Sequence, residues 1–325
     1  MTAGGPLITA ALTAYDAEDT IAGALASALA QDWPSLEVLI LDDASRDGTR
    51  KVIEAVITER GDQGPPIRLI ALDKNGGVAQ ARNRLLAEAK GEVIAFFDDD
   101  DISAPDRLRR QYARLIAAER ETGAGLVFCH AARCQILPDG GERLEGTMGE
   151  EGGPIPGGDA VVRRILLGTL SPGVRGSCAT CSQMARTASY RALGGFDPTL
   201  RRAEDTDLCL RAALGGAVFA GLSAPLVTQR LTLGGDKTPR EDHRAYQALL
   251  NKHRATLAKT GWLTFYARWQ DIRLAHLEGR TGRVVLGLVG LGLSHPLKLA
   301  RKIVWSLPAA GTRAAYHRQH RKDTS

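Results

Sequence analysis

Four consecutive aspartates, Asp98 to Asp101, follow directly on the apolar run Val93 to Phe97. Carboxylates packed this closely repel one another, and without a counter-charge some of them must take up protons. A divalent cation removes the conflict, because Mg²⁺ and Mn²⁺ prefer hard oxygen donors and bridge carboxylates to phosphate oxygens. Alternate residues of an extended segment point the same way, so Asp98 and Asp100 can share a side. Three further groups could serve the same chemistry: Thr13-Ala14-Tyr15-Asp16, the pair Asp42-Asp43, and Asn75-Gly76-Gly77 leading to Arg82 and Asn83. Tyr15 offers a ring for a nucleobase to stack on, and Asp43 can accept an imide N–H such as that of uracil. Arg82 can neutralise a diphosphate or orient the aspartates. Each has an ordinary alternative: a solvated acidic turn, a half-buried aromatic, a surface arginine. Their repetition at one kind of place favours a site.

That place is the end of a strand. Leu7–Leu12, Val38–Leu41, Ile67–Ala71 and Val93–Phe97 are apolar runs of strand length. Between them Ile21, Leu25 and Leu29, then Ile53 and Ile57, then Leu108, Tyr112 and Leu115 recur at helical spacing. Strand and helix in alternation predict an α/β fold with parallel strands and right-handed crossovers. Ser103-Ala104-Pro105-Asp106 has the capping-box pattern and predicts a helix start there. In such sheets ligands lie beyond the carboxyl ends of the strands, where the polar groups stand.

Together these motifs closely resemble the family 2 glycosyltransferases, over roughly Leu7 to Arg211. The resemblance is carried by Thr13-Ala14-Tyr15, Asp42-Asp43 through Thr49, Asn75-Gly76-Gly77 with Ala81-Arg82-Asn83, and Asp98 to Asp101 with Pro105-Asp106-Arg107-Leu108. It implies a GT-A fold with a mostly parallel central sheet flanked by helices, a nucleotide-sugar donor, Mn²⁺ or Mg²⁺, and inversion at the anomeric carbon. Thr13, Tyr15, Asp43 and Asp99 would then hold the nucleotide, Arg82 would serve the diphosphate, and Asp98 with Asp100 the metal. Gly194-Gly195-Phe196-Asp197-Pro198 and Glu204-Asp205-Thr206-Asp207-Leu208 look like the family's acceptor passage. Asp205 would be the general base, with Glu204 positioning the acceptor or raising the base's pKa. The same acids also suit a helix N-terminus on dipole grounds alone.

Three departures stand out. Asp16 occupies a place where the family often has asparagine, adding charge near the nucleotide. A histidine that often follows the last core strand is missing from Leu226 to Leu231, leaving Gln229 or Arg230 to contact phosphate. The Gly- and Pro-rich stretch 152–158 reads as a mobile loop near the acceptor side or as a surface linker.

Composition narrows the classes. Of 325 residues 44% are hydrophobic and 24% charged, which is globular, not disordered. The net charge of +5 divides into −6 for residues 1–238 (26 basic, 32 acidic) and +11 for 239–325 (16 basic, 5 acidic). We therefore expect a catalytic domain over 1–238 and a basic helical region over 239–325. Met1 to Leu12 lacks a secretory signal pattern, and no apolar stretch reaches the ~18 residues of a membrane span. Five cysteines, with Cys178 and Cys181 as a lone CxxC, suit packed thiols in a reducing cytoplasm better than a disulfide scaffold or zinc site. In the basic region Trp262, Phe265, Trp269 and Ile272 form a helical stripe suited to packing on the domain or to membrane contact. Val284–Leu293 is apolar, and Lys298, Arg301 and Lys302 near Trp305 suit anionic lipid on the inner face of the plasma membrane. No recognition motif accompanies the charge, so nucleic acid is not an expected partner.

The expectation is thus an inverting, metal-assisted glycosyltransferase moving a sugar from a nucleotide diphosphate, with a UDP-sugar favoured, to a glycan or glycolipid hydroxyl. The alternative is a non-catalytic nucleotide-sugar-binding scaffold of a polysaccharide assembly system. A sugar-nucleotide pyrophosphorylase would need a Gly-rich basic loop after the first strand, and Thr13-Ala14-Tyr15-Asp16 is not one.

Overall fold

The computed structural model describes residues 5–169, 173–174, 176–231 and 238–304. The front half follows the predicted alternation: β1 (Ile8–Ala14), α1 (Ile21–Leu29), β2 (Leu36–Asp42), α2 (Thr49–Arg60), β3 (Ile67–Ala71), α3 (Val78–Glu88) and β4 (Val93–Asp98). Then come β5 (Asp101–Ser103), α4 (Arg107–Thr122), β6 (Val127–Ile136), β7 (Glu142–Glu145), α5 (Gly158–Leu167), β8 (Gln183–Arg186), α6 (Thr187–Ala192), α7 (Glu204–Leu214) and β9 (Val218–Arg230). The basic region folds as α8 (Pro239–Lys252), α9 (Arg254–Lys259), α10 (Leu263–Leu277) and α11 (Thr281–Ser294), with residues 296–304 helical after it.

One mixed sheet runs β3-β2-β1-β4-β8-β6-β9-β5, with β7 paired to β6. The first four strands are parallel, as is β6 to β9. β8 runs antiparallel to β4 and β6, β5 to β9, and β7 to β6. The α/β expectation holds, with the parallel order concentrated at the front. Only Asp99 and Asp100 separate β4 from β5, far too few residues for the crossover a parallel neighbour needs.

Every residue of β1 and β2 is buried, as strands covered on both faces require. The period of two sends neighbours to different cores. Ile8, Leu12, Ile40 and Phe97 join Ile21, Leu25, Leu108 and Leu115 on one face. Ala11, Leu39, Leu41 and Phe96 join Leu85, Val161 and Leu208 on the other. That second core also contains Leu250, Leu257, Trp262, Phe265 and Ile272, so the aromatic stripe of α10 packs on the sheet body.

One local expectation needs correction. The helix expected from Ser103 begins at Arg107 with Asp106 as its N-cap, and no side chain caps it. Ser103 is claimed by the β5–β9 ladder, where it pairs with Val227, and its hydroxyl accepts from Arg107 instead. The stretch 152–158 is fastened at its far end: Pro156 accepts the Phe219 amide at 2.8 Å and Gly157 bridges to Val218. All five thiols are unpaired, and Cys178 and Cys181 are buried. No helix among the described residues is long and apolar enough to cross a membrane. Trp305, His317, Arg318, His320, Arg321 and Lys322 lie outside the described residues.

Candidate active site

The parallel register aligns the strand ends. Thr13 pairs with Leu41 and Asp98, and Ala14 with Asp42, so the polar residues that follow come off one edge together. Thr13, next to last in β1, is 9% exposed; Tyr15 beyond the strand is 38% exposed, its ring under the Arg46 guanidinium at 5.6 Å. The Tyr15 amide donates to Asp99 Oδ2 at 2.8 Å, so Asp99 acts from beneath, fixing where the ring stands. Burial, opposed by that hydrogen bond and reinforced by Asp98 and Asp100, pushes the Asp99 carboxyl up to about 7.

Asp43 is almost fully buried, and its two oxygens accept the amides of Gly76 and Gly77, each at 2.8 Å. The Asn75 amide group donates to the Asp43 carbonyl, completing a clasp between the second and third strand ends. Gly77, at φ +83°, makes the left-handed turn that opens α3. The carboxylate read as a nucleobase acceptor is thus also the anchor of this turn. Asp16 takes the Arg46 amide and guanidinium, which hold its carboxyl below the usual range and neutralise the charge its presence adds. Asp16, Ala44 and Ala203 are the non-glycine residues at positive φ among those described, and all three stand next to site residues. Side chains seldom occupy that region, and such strain gathers at functional sites.

Arg82, on the first turns of α3, links both halves of the site. It donates to Asp98 Oδ1 at 3.0 Å and to Glu204 Oε1 at 2.7 Å, and it lies over the Phe196 ring at 5.5 Å. Despite its burial, the carboxylates of Asp98 and Glu204 raise its pKa further. Glu204 opens α7, and burial with the neighbouring Asp205 charge pushes it up to about 7 against the pull of Arg82. Asp205 is less buried, and its Oδ1 accepts from the Thr206 amide and hydroxyl at 2.6 and 3.1 Å.

The aspartate cluster is arranged differently from the expectation. Asp99 and Asp100 form a turn between β4 and β5, so the extended alternation that paired Asp98 with Asp100 is absent. The fold instead gathers Asp98, Asp101 and Cys181, with ligand atoms within 4.8 Å of one another. Asp101 is 3% exposed, its oxygens accept from no N–H or O–H and have only the Cys181 thiol beside them, and burial with Asp98 and Asp100 pushes it up to about 8. Gln229 is Asp101's register partner on β9, but its side chain is taken up by Arg133 and Gln135, both at 2.7 Å. Arg230 beside it is exposed.

Sequence reasoning missed three supports. Asn83 holds Phe196 by both its amide and carbonyl at 2.8 Å, clamping the Gly194–Asp197 turn to α3. Asp207 is fully buried and receives Arg211, Lys252 and His253 at 2.8, 2.9 and 2.7 Å. Burial opposes its charge, yet these donors hold its carboxyl far below the usual range. Asp101 and Cys181 meet across 80 residues. Asn83, Asp207 and Asp101 all lie in motifs visible in the sequence, but their partners Phe196, Lys252, His253 and Cys181 lie far away in the chain.

Comparisons with known proteins speak to the family and the fold. The family model described as Glycosyl transferase family 2 matches residues 9–131. The succinoglycan biosynthesis protein ExoO of Rhizobium meliloti is 43% identical over 113 residues, 35% of this chain and 31% of that protein. The putative glycosyltransferase EpsE of Bacillus subtilis is 31% identical over 214 residues, 64% of this chain and 66% of that protein. The chain spans about a third to two thirds of the length of these relatives. Among solved structures, S. aureus TarS with UDP-GlcNAc superposes with a TM-score of 0.57 at 21% identity, covering 75% of this chain and 65% of that one. The mannosyltransferase PcManGT of Pyrobaculum calidifontis, with GDP-Man and Mn²⁺, gives 0.56 at 17% identity over 98% and 83%. At those identities the likeness establishes the shared GT-A type fold alone. The motif-bearing half, its strand-end carboxylates and these matches place the chain in glycosyl transferase family 2.

Proposed function

We propose that the protein is an inverting glycosyltransferase that moves a sugar from a nucleoside diphosphate to a hydroxyl of a glycan or glycolipid, with residues 1–238 as the catalytic unit. The observation that carries this reading is the Arg82 bridge, which joins Asp98 on the donor side to Glu204 on the acceptor side. Tyr15 and Thr13 receive the nucleoside, with a uridine favoured, Asp99 holds Tyr15 in place, and Asp43 keeps the Gly76-Gly77 turn shaped beside it.

The acidic edge fits a divalent cation. Asp101 buries two oxygens that accept from no N–H or O–H, and burial, with crowding by Asp98 and Asp100, raises the Asp99 and Asp101 carboxyls, a conflict that a cation relieves. Asp98 and Asp101, the carboxylates the fold gathers, would hold Mn²⁺ or Mg²⁺, with Asp100 on the adjoining turn. When bound, the ion supplies charge neutralisation at the departing diphosphate. PcManGT, a fold neighbour, was solved with Mn²⁺. Arg230, exposed next to Asp101's register partner, offers positive charge for phosphate where histidine is missing. On the other face Asp205 accepts the proton of the acceptor hydroxyl as that oxygen attacks the anomeric carbon, and the nucleoside diphosphate leaves. Glu204, fixed by Arg82, orients the acceptor.

A cytoplasmic location, with peripheral contact on the inner membrane face through residues 239–325, completes the proposal. The test is a panel of nucleotide sugars, with and without Mn²⁺ or Mg²⁺, followed by nucleoside diphosphate release. We expect metal-dependent release that falls roughly a hundredfold or more in Asp205→Asn. Full activity of that variant would sink the base assignment, metal-independent turnover would sink the metal assignment, and binding without turnover would favour the scaffold.

A further inference from the structure

Helix α11 is apolar on both sides. Leu291 is buried, and Val284 and Leu288 pack on the core beside it. The opposite side carries Val285, Leu286, Val289 and Leu293 at 54, 74, 54 and 83% exposure. At 100° per residue these four fall within about 100° of arc, one continuous face. Leu297, Ile303 and Val304 extend the exposed apolar surface along the following helix. Gly287 fixes which side turns outward: a Cβ there would sit 2.5 Å from Ile272 Cγ1, so α11 lies close against α10. Along that seam runs a cleft of about 470 Å³, lined by Arg268, Arg280, Arg283, Asp271, Glu278 and Gly290 among others, and by none of the active-site carboxylates. Glu278 is taken by Arg240 and Arg280, and Arg268 by Ser294, while Arg283 makes no ion pair among the described residues. From Gly279 to Lys322 the chain has nine Lys and Arg and no Asp or Glu; of these Lys302 is buried with its Nζ on the Leu167 carbonyl and Lys298 donates to the Gly261 carbonyl, while Arg283 and Arg301 are exposed.

We propose that this face docks on anionic lipid. Resting on the membrane contact proposed above, it assigns the surface: α11 lies in the plane of the interface, Leu286, Val289 and Leu293 enter the acyl boundary, and a lipid phosphate meets Arg283 at the cleft mouth. An apolar face flanked by basic residues has the chemistry of an interfacial helix, and 14 residues are too few to span. Charge selects the occupant, because an unbroken positive segment complements anionic headgroups.

The test is co-sedimentation of the full chain with vesicles of phosphatidylcholine alone or with phosphatidylglycerol. Pelleting needs neither donor nor acceptor, so its failure is distinct from failure of the proposed reaction. We expect binding to the anionic vesicles that weakens with salt and falls roughly tenfold in Leu286→Glu/Leu293→Glu and several-fold in Arg283→Glu. Thermal midpoint and nucleoside diphosphate release should be unchanged, since these side chains are exposed and distant from the carboxylates. Equal binding to neutral vesicles, no loss in the variants, or no binding at all overturns the proposal. So does a solution dimer that the double variant dissolves, which would make a second copy the occupant.

Discussion

Arg82 and Glu204 set the chemistry available at the residue scale. A guanidinium can donate to two carboxylates in a fixed fork, which an ammonium cannot reproduce. The short Arg82–Glu204 pair therefore fixes the carboxyl next to the proposed base, yet burial and the Asp205 charge still lift it to about 7. As pH falls through that value Glu204 gains a proton, and Arg82 loses one of its two anionic partners. Turnover should accordingly rise with pH up to about 7 and level off above it. In Glu204→Gln the rise near 7 should vanish and the plateau drop roughly tenfold, read as kcat/KM against pH. A pH limb that persists unchanged in this variant would place the titrating group elsewhere.

At the element scale, the turn Gly194–Asp197, which carries the proposed acceptor motif, is hydrogen-bonded to α3 through Asn83 and has Arg82 of the same helix over its Phe196 ring. Asn83 satisfies both the amide and the carbonyl of Phe196, and Gly195 approaches it so closely that a Cβ would lie 2.4 Å from Asn83 Oδ1. Gly195 is also at φ +71°, where a side chain is strained. Gly195→Ala should break the clamp and cost about 1–3 kcal/mol, measured by denaturant unfolding, with a larger loss of turnover than of nucleotide binding. Loss of stability with turnover intact would show that the clamp does not position the acceptor side. The strands β1 to β4 and the helices between them were legible because apolar periodicity is local. The capping box at Ser103 and the Asp98–Asp100 alternation were not, because a distant strand, β9, draws Ser103 and Asp101 into its ladder and forces a turn at Asp99 and Asp100.

For the whole molecule, the charge division of the chain does not produce two loosely joined bodies. Lys252 and His253, at the end of α8, reach Asp207 inside the acceptor motif, and Lys252 also reaches Asp197. The basic region thus braces the acidic one. Asp197 is held down to about 2, chiefly by Lys252, and Asp207 lies lower still. Their folded pKa values are below the unfolded value near 3.8, so their contribution is complete above about pH 4 and is lost as pH falls toward 2. Asp207→Asn removes the carboxylate that the buried His253 faces and that Arg211 and Lys252 share, leaving Lys252 with Asp197 and Arg211 with backbone carbonyls, and should cost about 3–5 kcal/mol at pH 7. The same variant should show a shallower loss of stability between pH 4 and 2, checked by urea midpoints across that range. Parallel pH curves for variant and parent would remove Asp207 from this role.

What the amino-acid order determined by itself was the alternation of strand and helix, the placing of polar groups at strand ends, and the resemblance built on them. These follow from apolar period and from residues a few positions apart, which short-range geometry controls. The tertiary structure alone decided that Asp43 clasps the glycine turn, that Asp101 rather than Asp100 meets Asp98 and Cys181, and that Asp207 is a brace. It also decided which side of α11 faces outward. Each depends on partners separated by tens of residues, whose meeting is set by sheet register and core packing, and no local pattern encodes that.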